Sequence, residues 1–285
     1  MSPQKPNLQR IDDVTRTVID EARRKQEHPE DFRPIKTNLE DLDAIIGGIT
    51  EGLYVVVGGA FKTGKSSLAL HIATALAASG RGRTEFYSLE ELRDQMGTRS
   101  LVRLTDKVDR TMMRNLVLQK QHFDELESAQ NLLKEGKVNL WLDDGLSQVE
   151  VIIKTSTDNG AKFVIVDYLQ LLESKTGHRD SYVQQWDEIS AQFVRARNQT
   201  KITFIVVYQI GEQGKAYGSR AVYRDADLII EVERKIDIVT EKELEELIHI
   251  NVRRSRICMS GECDLAFSGA HSRVGNILPL NLDMV

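Results

Sequence analysis

Apolar residues fall along this chain in two rhythms. In one, short β-branched and aromatic runs stand between polar stretches: Tyr54-Val-Val-Val57, Glu85-Phe-Tyr-Ser-Leu89, Val138-Asn-Leu-Trp-Leu142, Phe163-Val-Ile-Val166, Ile202-Thr-Phe-Ile-Val-Val207 and Leu228-Ile-Ile-Glu-Val232. All six read as strands, and a nearly continuous run such as Phe163–Val166 marks a central strand buried on both faces. In the other, apolar positions recur every three or four residues and predict helices over 8–27, 67–78, 91–104, 108–119, 121–135, 147–158 and 183–198. Strands alternating with helices predict an α/β fold, a mostly parallel sheet covered by helices. Towards the C-terminus the helices stop. Leu247–Val252, Cys263–Phe267 and about 271–275 read as antiparallel strands, and Glu241–Glu246 as a solvated turn or short helix.

Punctuation sets the domain plan. Thr37 followed by an acid three residues on is a capping-box pattern, and Gly47-Gly48 ends the turn it opens. The stretch His28–Pro34 is Pro-rich and charged and reads as a linker. Residues 1–34 are therefore a tail, a docking helix and a linker, and 35–285 the α/β domain. On the helix over 8–27, Leu8, Ile11, Val14, Val18 and Ala22 make a narrow apolar stripe. A lone helix of that size is marginal in water, so the stripe needs a partner surface on its own domain or on a neighbouring subunit.

Composition narrows the classes. A net charge of −5 excludes a surface that attracts nucleic acid as a whole, so any such site is a local basic patch. Cys258 and Cys263 make neither a disulfide framework nor a four-ligand zinc site, which fits a reducing, cytoplasmic compartment. No apolar run reaches bilayer length, and the first 30 residues are polar and charged, so neither a membrane span nor a secretory signal is expected.

The chemistry centres on Gly59-Ala60-Phe61-Lys62-Thr63-Gly64-Lys65-Ser66, which fits G-x-x-x-x-G-K-[ST] between a strand and a helix. Gly59 and Gly64 are expected to take backbone angles that a side chain blocks. Backbone N–H groups from Gly59 to Ser67 would form a phosphate-binding nest at a helix start. Lys65 would reach the β- and γ-phosphates of ATP, and the Ser66 hydroxyl would hold Mg²⁺. In a parallel sheet, ligands bind beyond the carboxyl ends of the strands, where Glu90, Asp167 and Gln209 stand. Asp167 is the candidate Mg²⁺ acid, Glu90 the candidate base for the attacking water, and Gln209 the candidate γ-phosphate reader. Lys175, His178 and Arg179 follow Asp167, and Lys215, Arg220 and Arg224 follow Gln209. They either contact a polymer or are solvated loop charges. Arg254 and Arg256 alternate after Leu247–Val252, so in an extended chain they share one side. They either reach a neighbour's nucleotide or belong to an ordinary surface hairpin.

Taken together, Thr37-x-Leu39-x-x-Leu42-Asp43, the phosphate loop, Ser88-Leu89-Glu90, Asp167-Tyr-Leu-Gln-Leu171, Gln209 and Asp225-Ala226-Asp227 occur in the order found in one family. The chain resembles the C-terminal RecA-like ATPase domain of replicative hexameric DNA helicases of the DnaB type. The resemblance implies a ring-forming helicase that moves on single-stranded DNA and hydrolyses ATP with Mg²⁺ at subunit interfaces. It implies Glu90 as base, Asp167 with Ser66 at the metal, Gln209 as sensor, and Arg254 and Arg256 acting in trans. It implies trans docking of the helix over 8–27, and primase, polymerase or a loader as partners. The loops that would face DNA hold Lys175, Arg179, Lys215, Ser219 and Arg220. Departures are Gly218-Ser-Arg-Ala221 in place of Glu-Ser-Gly-Ala, Ile-Gly-Glu after Gln209 in place of Leu-Asn-Arg, and the lack of the family's N-terminal domain. Such a short form would suit a virus or mobile element, placing it in a host cytoplasm. A RecA-like recombinase or filament ATPase, and a KaiC-like nucleotide-gated assembly protein, remain open as alternatives.

Overall fold

The computed structural model describes residues 8–175, 181–210, 220–236 and 243–277, apart from the side chains of 220, 221, 254 and 255. The chain divides into two compact units, Met1–Pro34 and Ile35–Val285.

In the first unit, α1 (Ile11–Glu27) carries Asp12 and Asp13 in its first turn and Arg24 and Lys25 in its last, complementing the helix dipole. It starts after the predicted position because Arg10 is extended and caps it. No residue of α1 is buried; Ile11, Val14, Val18 and Ile19 are all exposed. The Arg24 guanidinium lies 5.1 Å from the ring centre of Phe32, which fastens the end of α1 to the following turn.

The second unit is built on one nine-stranded sheet in the order β3-β2-β4-β5-β1-β6-β7-β8-β9. The strands are β1 (Tyr54–Gly59), β2 (Arg83–Ser88), β3 (Leu140–Asp143), β4 (Ala161–Asp167), β5 (Thr203–Gln209), β6 (Leu228–Ile236), β7 (Glu243–Ser255), β8 (Gly261–Ser268) and β9 (Arg273–Gly275). From β3 across to β6 every pairing is parallel, and from β6 to β9 every pairing is antiparallel. The aliphatic runs at β1, β4 and β5 thus become central strands, as their lack of polar positions requires, whereas β3 is the edge strand and leaves Trp141 exposed. Alternate side chains feed two cores. Val55, Val57, Phe163, Ile165, Ile205 and Val207 pack on α3 (Lys65–Ala78), while Tyr54, Val56, Val164, Val166, Phe204 and Val206 pack on α7 (Val149–Asp158) and α8 (Tyr182–Thr200). Between β2 and β3 run α4 (Arg93–Val102), α5 (Arg110–Asn115) and α6 (Lys120–Glu135).

Two local expectations are corrected. Thr37 does not cap the helix that follows, α2 (Glu40–Ile46), whose N-cap is Leu39. Instead Asp43 reaches back: Oδ1 accepts from the Thr37 N–H at 3.0 Å and its hydroxyl at 3.1 Å, and Oδ2 from the Asn38 N–H at 3.1 Å. These bonds fix the chain just before α2, while the first N–H of the helix, at Glu40, donates to Asn276 Oδ1 at 2.7 Å. At the helix end, Gly47 at φ 76° is the left-handed cap that the Gly-Gly pair predicted. The charge run is neither turn nor helix where it is described. Glu243–Glu246 open β7, in which Glu243 pairs with Ile236 of β6; residues 241 and 242 lie outside the described residues. An exposed strand end tolerates charges because its side chains project into water. Among the described residues no helix is long and apolar enough to cross a membrane.

Candidate nucleotide site

Four parallel strands end at one cleft of about 410 Å³. The end of β1 delivers Phe61–Ser67, that of β2 delivers Glu90 and Glu91, that of β4 delivers Asp167 and Tyr168, and that of β5 delivers Gln209. The sheet thus gathers every strand-end residue that the sequence singled out, as Lys65, Ser66, Glu90, Asp167 and Gln209 line one space. Arg99 and Arg110 close one wall, and Arg234, Phe267 and Gly269 another.

The loop's glycines serve different ends. Gly64 takes φ 102° and caps α3 in the left-handed region. Gly59 does not need unusual angles; it is the last residue of β1 and pairs with Gln209 and Val232 on its two sides. A Cβ there would lie 2.4 Å from the Val232 carbonyl oxygen, so close strand approach is what excludes a side chain. The loop is also braced from outside. Arg234 donates from Nε to the Lys62 carbonyl at 3.1 Å, and its guanidinium sits 4.6 Å over the Phe267 ring.

Electrostatics fit anion and cation binding side by side. The Lys65 ammonium folds back onto the Ala60 carbonyl. Burial pushes it down to about 8, against the attraction of Asp167 and Glu90. Asp167 is buried, and that burial pushes its carboxyl up to about 6, against a hydrogen bond from Ser66 and the field of Arg99. Both groups are therefore short of compensating charge, and a polyphosphate with a divalent cation would supply it. Ser66 and Asp167 present hard oxygen donors side by side, the donor set that Mg²⁺ favours.

The adjacent glutamates differ sharply. Glu91 is tied to Arg99 at 2.6 Å, lies 3.9 Å from Arg110, and its backbone carbonyl accepts from the Ser88 hydroxyl at 2.6 Å. Glu90 is exposed at the cleft, and among the described residues no ion pair fixes its carboxylate. A carboxylate acting as base needs such freedom to meet a water.

Arg254 and Arg256 are not brought to this cleft. Gly59 pairs with Val232, and Val232 with Ile250, whereas Ile229 pairs with Arg254 and Leu228 with Ser255. Arg256 thus stands at the other end of the sheet, about 15–20 Å along the strand from its own phosphate loop at ~3.3 Å per residue. The Arg256 N–H still donates to the Asp227 carbonyl at 2.8 Å, one step past the end of β7 at Ser255. A register shift falls beside Arg253, which pairs with Glu231 and Glu233. What orients Arg256 is Asp227, 3.3 Å from its Nη1, and the Arg224 carbonyl, 3.2 Å from Nη2. The Arg254 side chain lies outside the described residues.

Of the loop cations, Lys175 is exposed just beyond β4, and its backbone N–H donates to Glu150 at 3.1 Å. Arg224 is exposed and pairs with Asp225 at 3.2 Å. Arg220 opens α9 (Arg220–Asp225). Its side chain, and His178, Arg179, Lys215 and Ser219, lie outside the described residues. Sequence reasoning missed Arg99, Arg110, Arg234 and Phe267, which come from helices and antiparallel strands with no phosphate motif. It also passed over Gln170, whose carboxamide bonds both backbone groups of Gln209 at 2.7 and 3.2 Å.

The chain is similar to known proteins over most of its length. The family described as "DnaB-like helicase C terminal domain" matches residues 34–276. The "Replicative DNA helicase DnaC" of Bacillus subtilis (strain 168) is 22% identical over 286 residues, covering 95% of this chain and 62% of that protein. The chain thus spans less than two thirds of that relative's length. Among solved structures, one described as an ATPase domain superposes with a TM-score of 0.81 at 19% identity, over 95% of this chain and 100% of the other. A DnaB-like replicative helicase, solved in a study of its interactions with primase, gives 0.78 at 19% identity, over 95% and 68%. A KaiC-like protein of Pyrococcus horikoshii OT3 gives 0.56 at 17% identity, over 86% and 98%. These structural likenesses support a RecA-like fold.

Proposed function

Because the chain belongs to the family of the DnaB-like helicase C-terminal domain, we propose that it is one subunit of a ring-forming, hexameric DNA helicase, driven by ATP along single-stranded DNA. The observation that carries this reading is the split between the two halves of the chemistry. Lys65, Ser66, Glu90, Asp167 and Gln209 share one cleft, and Arg256 stands at the far end of the sheet. Arg99, Arg110 and Arg234 of the same chain line that cleft, but Arg256 does not. A neighbour's Arg256, with Arg254 beside it, completes the site, and such an arginine in trans is worth roughly 10³–10⁵ in rate.

Each residue has a task. Lys65 neutralises the β- and γ-phosphates, and the backbone N–H groups of Phe61–Ser67 hold them in place. Ser66 and Asp167 would hold Mg²⁺, which when bound neutralises charge on the β/γ oxygens. Glu90 orients and deprotonates the water. Gln209 reads the γ-phosphate and passes its state to the segment that follows. Lys175, Arg179, Lys215, Ser219 and Arg220 are the residues proposed to contact DNA. The exposed stripe of α1 docks on a neighbouring subunit, and primase, polymerase or a loader bind the assembled ring. Such a machine works in the cytoplasm. The KaiC-like reading has the weaker structural likeness, a TM-score of 0.56 against 0.78 for the DnaB-like helicase.

ATPase and fork unwinding measured on one preparation, with particle images, test the proposal. DNA-stimulated ATPase, unwinding and closed rings are expected. Open helices with strand pairing would favour a recombinase, and ATPase indifferent to DNA an assembly protein.

A further inference from the structure

β4 and β5 pair in parallel from Phe163 and Thr203 up to Val166 and Val206, and there the ladder ends. Beyond it the chain after Asp167 coils into a single turn at Leu169–Leu171, while β5 runs on to Gln209. In a parallel strand the N–H and C=O of one residue face the same neighbour. Gln209 therefore turns both groups towards the place that β4 has left. The Gln170 side chain fills it. Its Nε2 donates to the Gln209 carbonyl at 2.7 Å, and its Oε1 accepts from the Gln209 N–H at 3.2 Å. A side-chain amide stands where a strand peptide would. On the other flank, the Ile210 N–H donates to the carbonyl of Gly59, the first residue of the phosphate loop, at 2.9 Å.

We propose that Gln170 is a positioning residue that ties the Asp167 segment to Gln209, so that the γ-phosphate reader moves with the metal-holding strand. This rests on the helicase reading above. Gln170 lies in the strand-end segment three residues after Asp167 and is absent from the cleft lining, so it acts through Gln209 rather than on the nucleotide. It constrains Gln209, next to the Ile210 N–H that Gly59 holds. Loss of the clasp leaves nucleotide affinity in place and uncouples turnover from the response to DNA.

Gln170→Leu and Gln170→Glu test this. Gln170→Leu is expected to bind a fluorescent ATP analogue within about twofold of wild type and to lose about tenfold in kcat. DNA stimulation falls with kcat. Gln170→Glu keeps the acceptor but loses the donor while ionised. Its kcat relative to wild type should rise as pH falls, because the neutral acid again donates to the Gln209 carbonyl. A packing role alone gives no such profile. Amide hydrogen exchange at Gln209 and Ile210 reads the clasp without any ATPase. Faster exchange in Gln170→Leu, with unchanged exchange in β1 and β4, supports it even if wild type proves not to be a helicase. Unaltered exchange at Gln209, or equal loss of affinity and kcat, overturns it.

Discussion

Arg256 and Asp227 form a pair at 3.3 Å at the end of the sheet remote from the phosphate loop, and Asp227 also accepts from the N–H of Tyr54, the first residue of β1, at 2.8 Å. Arg197 holds the same carboxylate from α8. Asp227 is thus satisfied without Arg256, whose side chain is 48% exposed. Arg256→Ala should cost less than about 1 kcal/mol of stability, as exposed pairs do, yet lower ATPase by about 10³-fold. Arg197→Ala should do the opposite. Its side chain is 14% exposed and faces a buried carboxylate, so about 2–4 kcal/mol should go while the intact remainder keeps its turnover. Thermal unfolding and ATPase of both variants separate the two roles, and equal effects would contradict them.

Glu90 and Glu91 are neighbours with different duties. Glu90→Gln should retain ATP binding and lose at least about 10²-fold in turnover, because an amide cannot take the proton. Glu91 is bound by Arg99, so Glu91→Gln should loosen that wall and cost only a few-fold in kcat. Single-turnover hydrolysis with a parallel binding titration decides; turnover like wild type in Glu90→Gln would remove it as base.

His71 makes the fold acid-sensitive. Its Nε2 lies 2.9 Å from the Thr37 carbonyl and its Nδ1 2.9 Å from Arg103, which favours a neutral ring donating from Nε2. Burial first, and then Arg103, push it down to about 4, against Asp43 and backbone bonds at Thr37 and Val274. The unfolded chain takes up a proton near 6.5 and the folded one near 4, so stability is complete above about 6.5 and is lost as pH falls towards 4. His71→Gln should remove on the order of 2 kcal/mol of that loss. Denaturant midpoints between pH 7 and 4 should fall more steeply for wild type than for the variant.

Much of the fold was legible because the central strands are so apolar. Val55–Val57, Phe163–Val166 and Phe204–Val207 had no way to face water, and their ends marked the site. Membership of the family read from the Asp167–Leu171 string and its companions is borne out. What escaped were residues whose role depends on distant partners. Arg234 reaches the phosphate loop only because β6 lies beside β1, and Gln170 matters only because β4 stops before β5 does. Glu243–Glu246 looked like a solvated turn because strand pairing at a sheet end leaves charge patterns unchanged. Arg256 lies at the opposite end of the sheet from the phosphate loop because of the β6–β7 register, which alternation along one strand does not reveal.

The central claim is that each nucleotide site is shared between two subunits, and mixing inactive variants tests it most directly. Lys65→Ala removes the phosphate side and Arg256→Ala the opposite side. Mixed and reassembled, the two should regain ATPase at the interfaces that join an intact Lys65 cleft to an intact Arg256. Recovery over both parents, rising to a maximum near equal proportions, is the expected result. A mixture no more active than its parts, in rings shown to have exchanged subunits, would contradict a shared site.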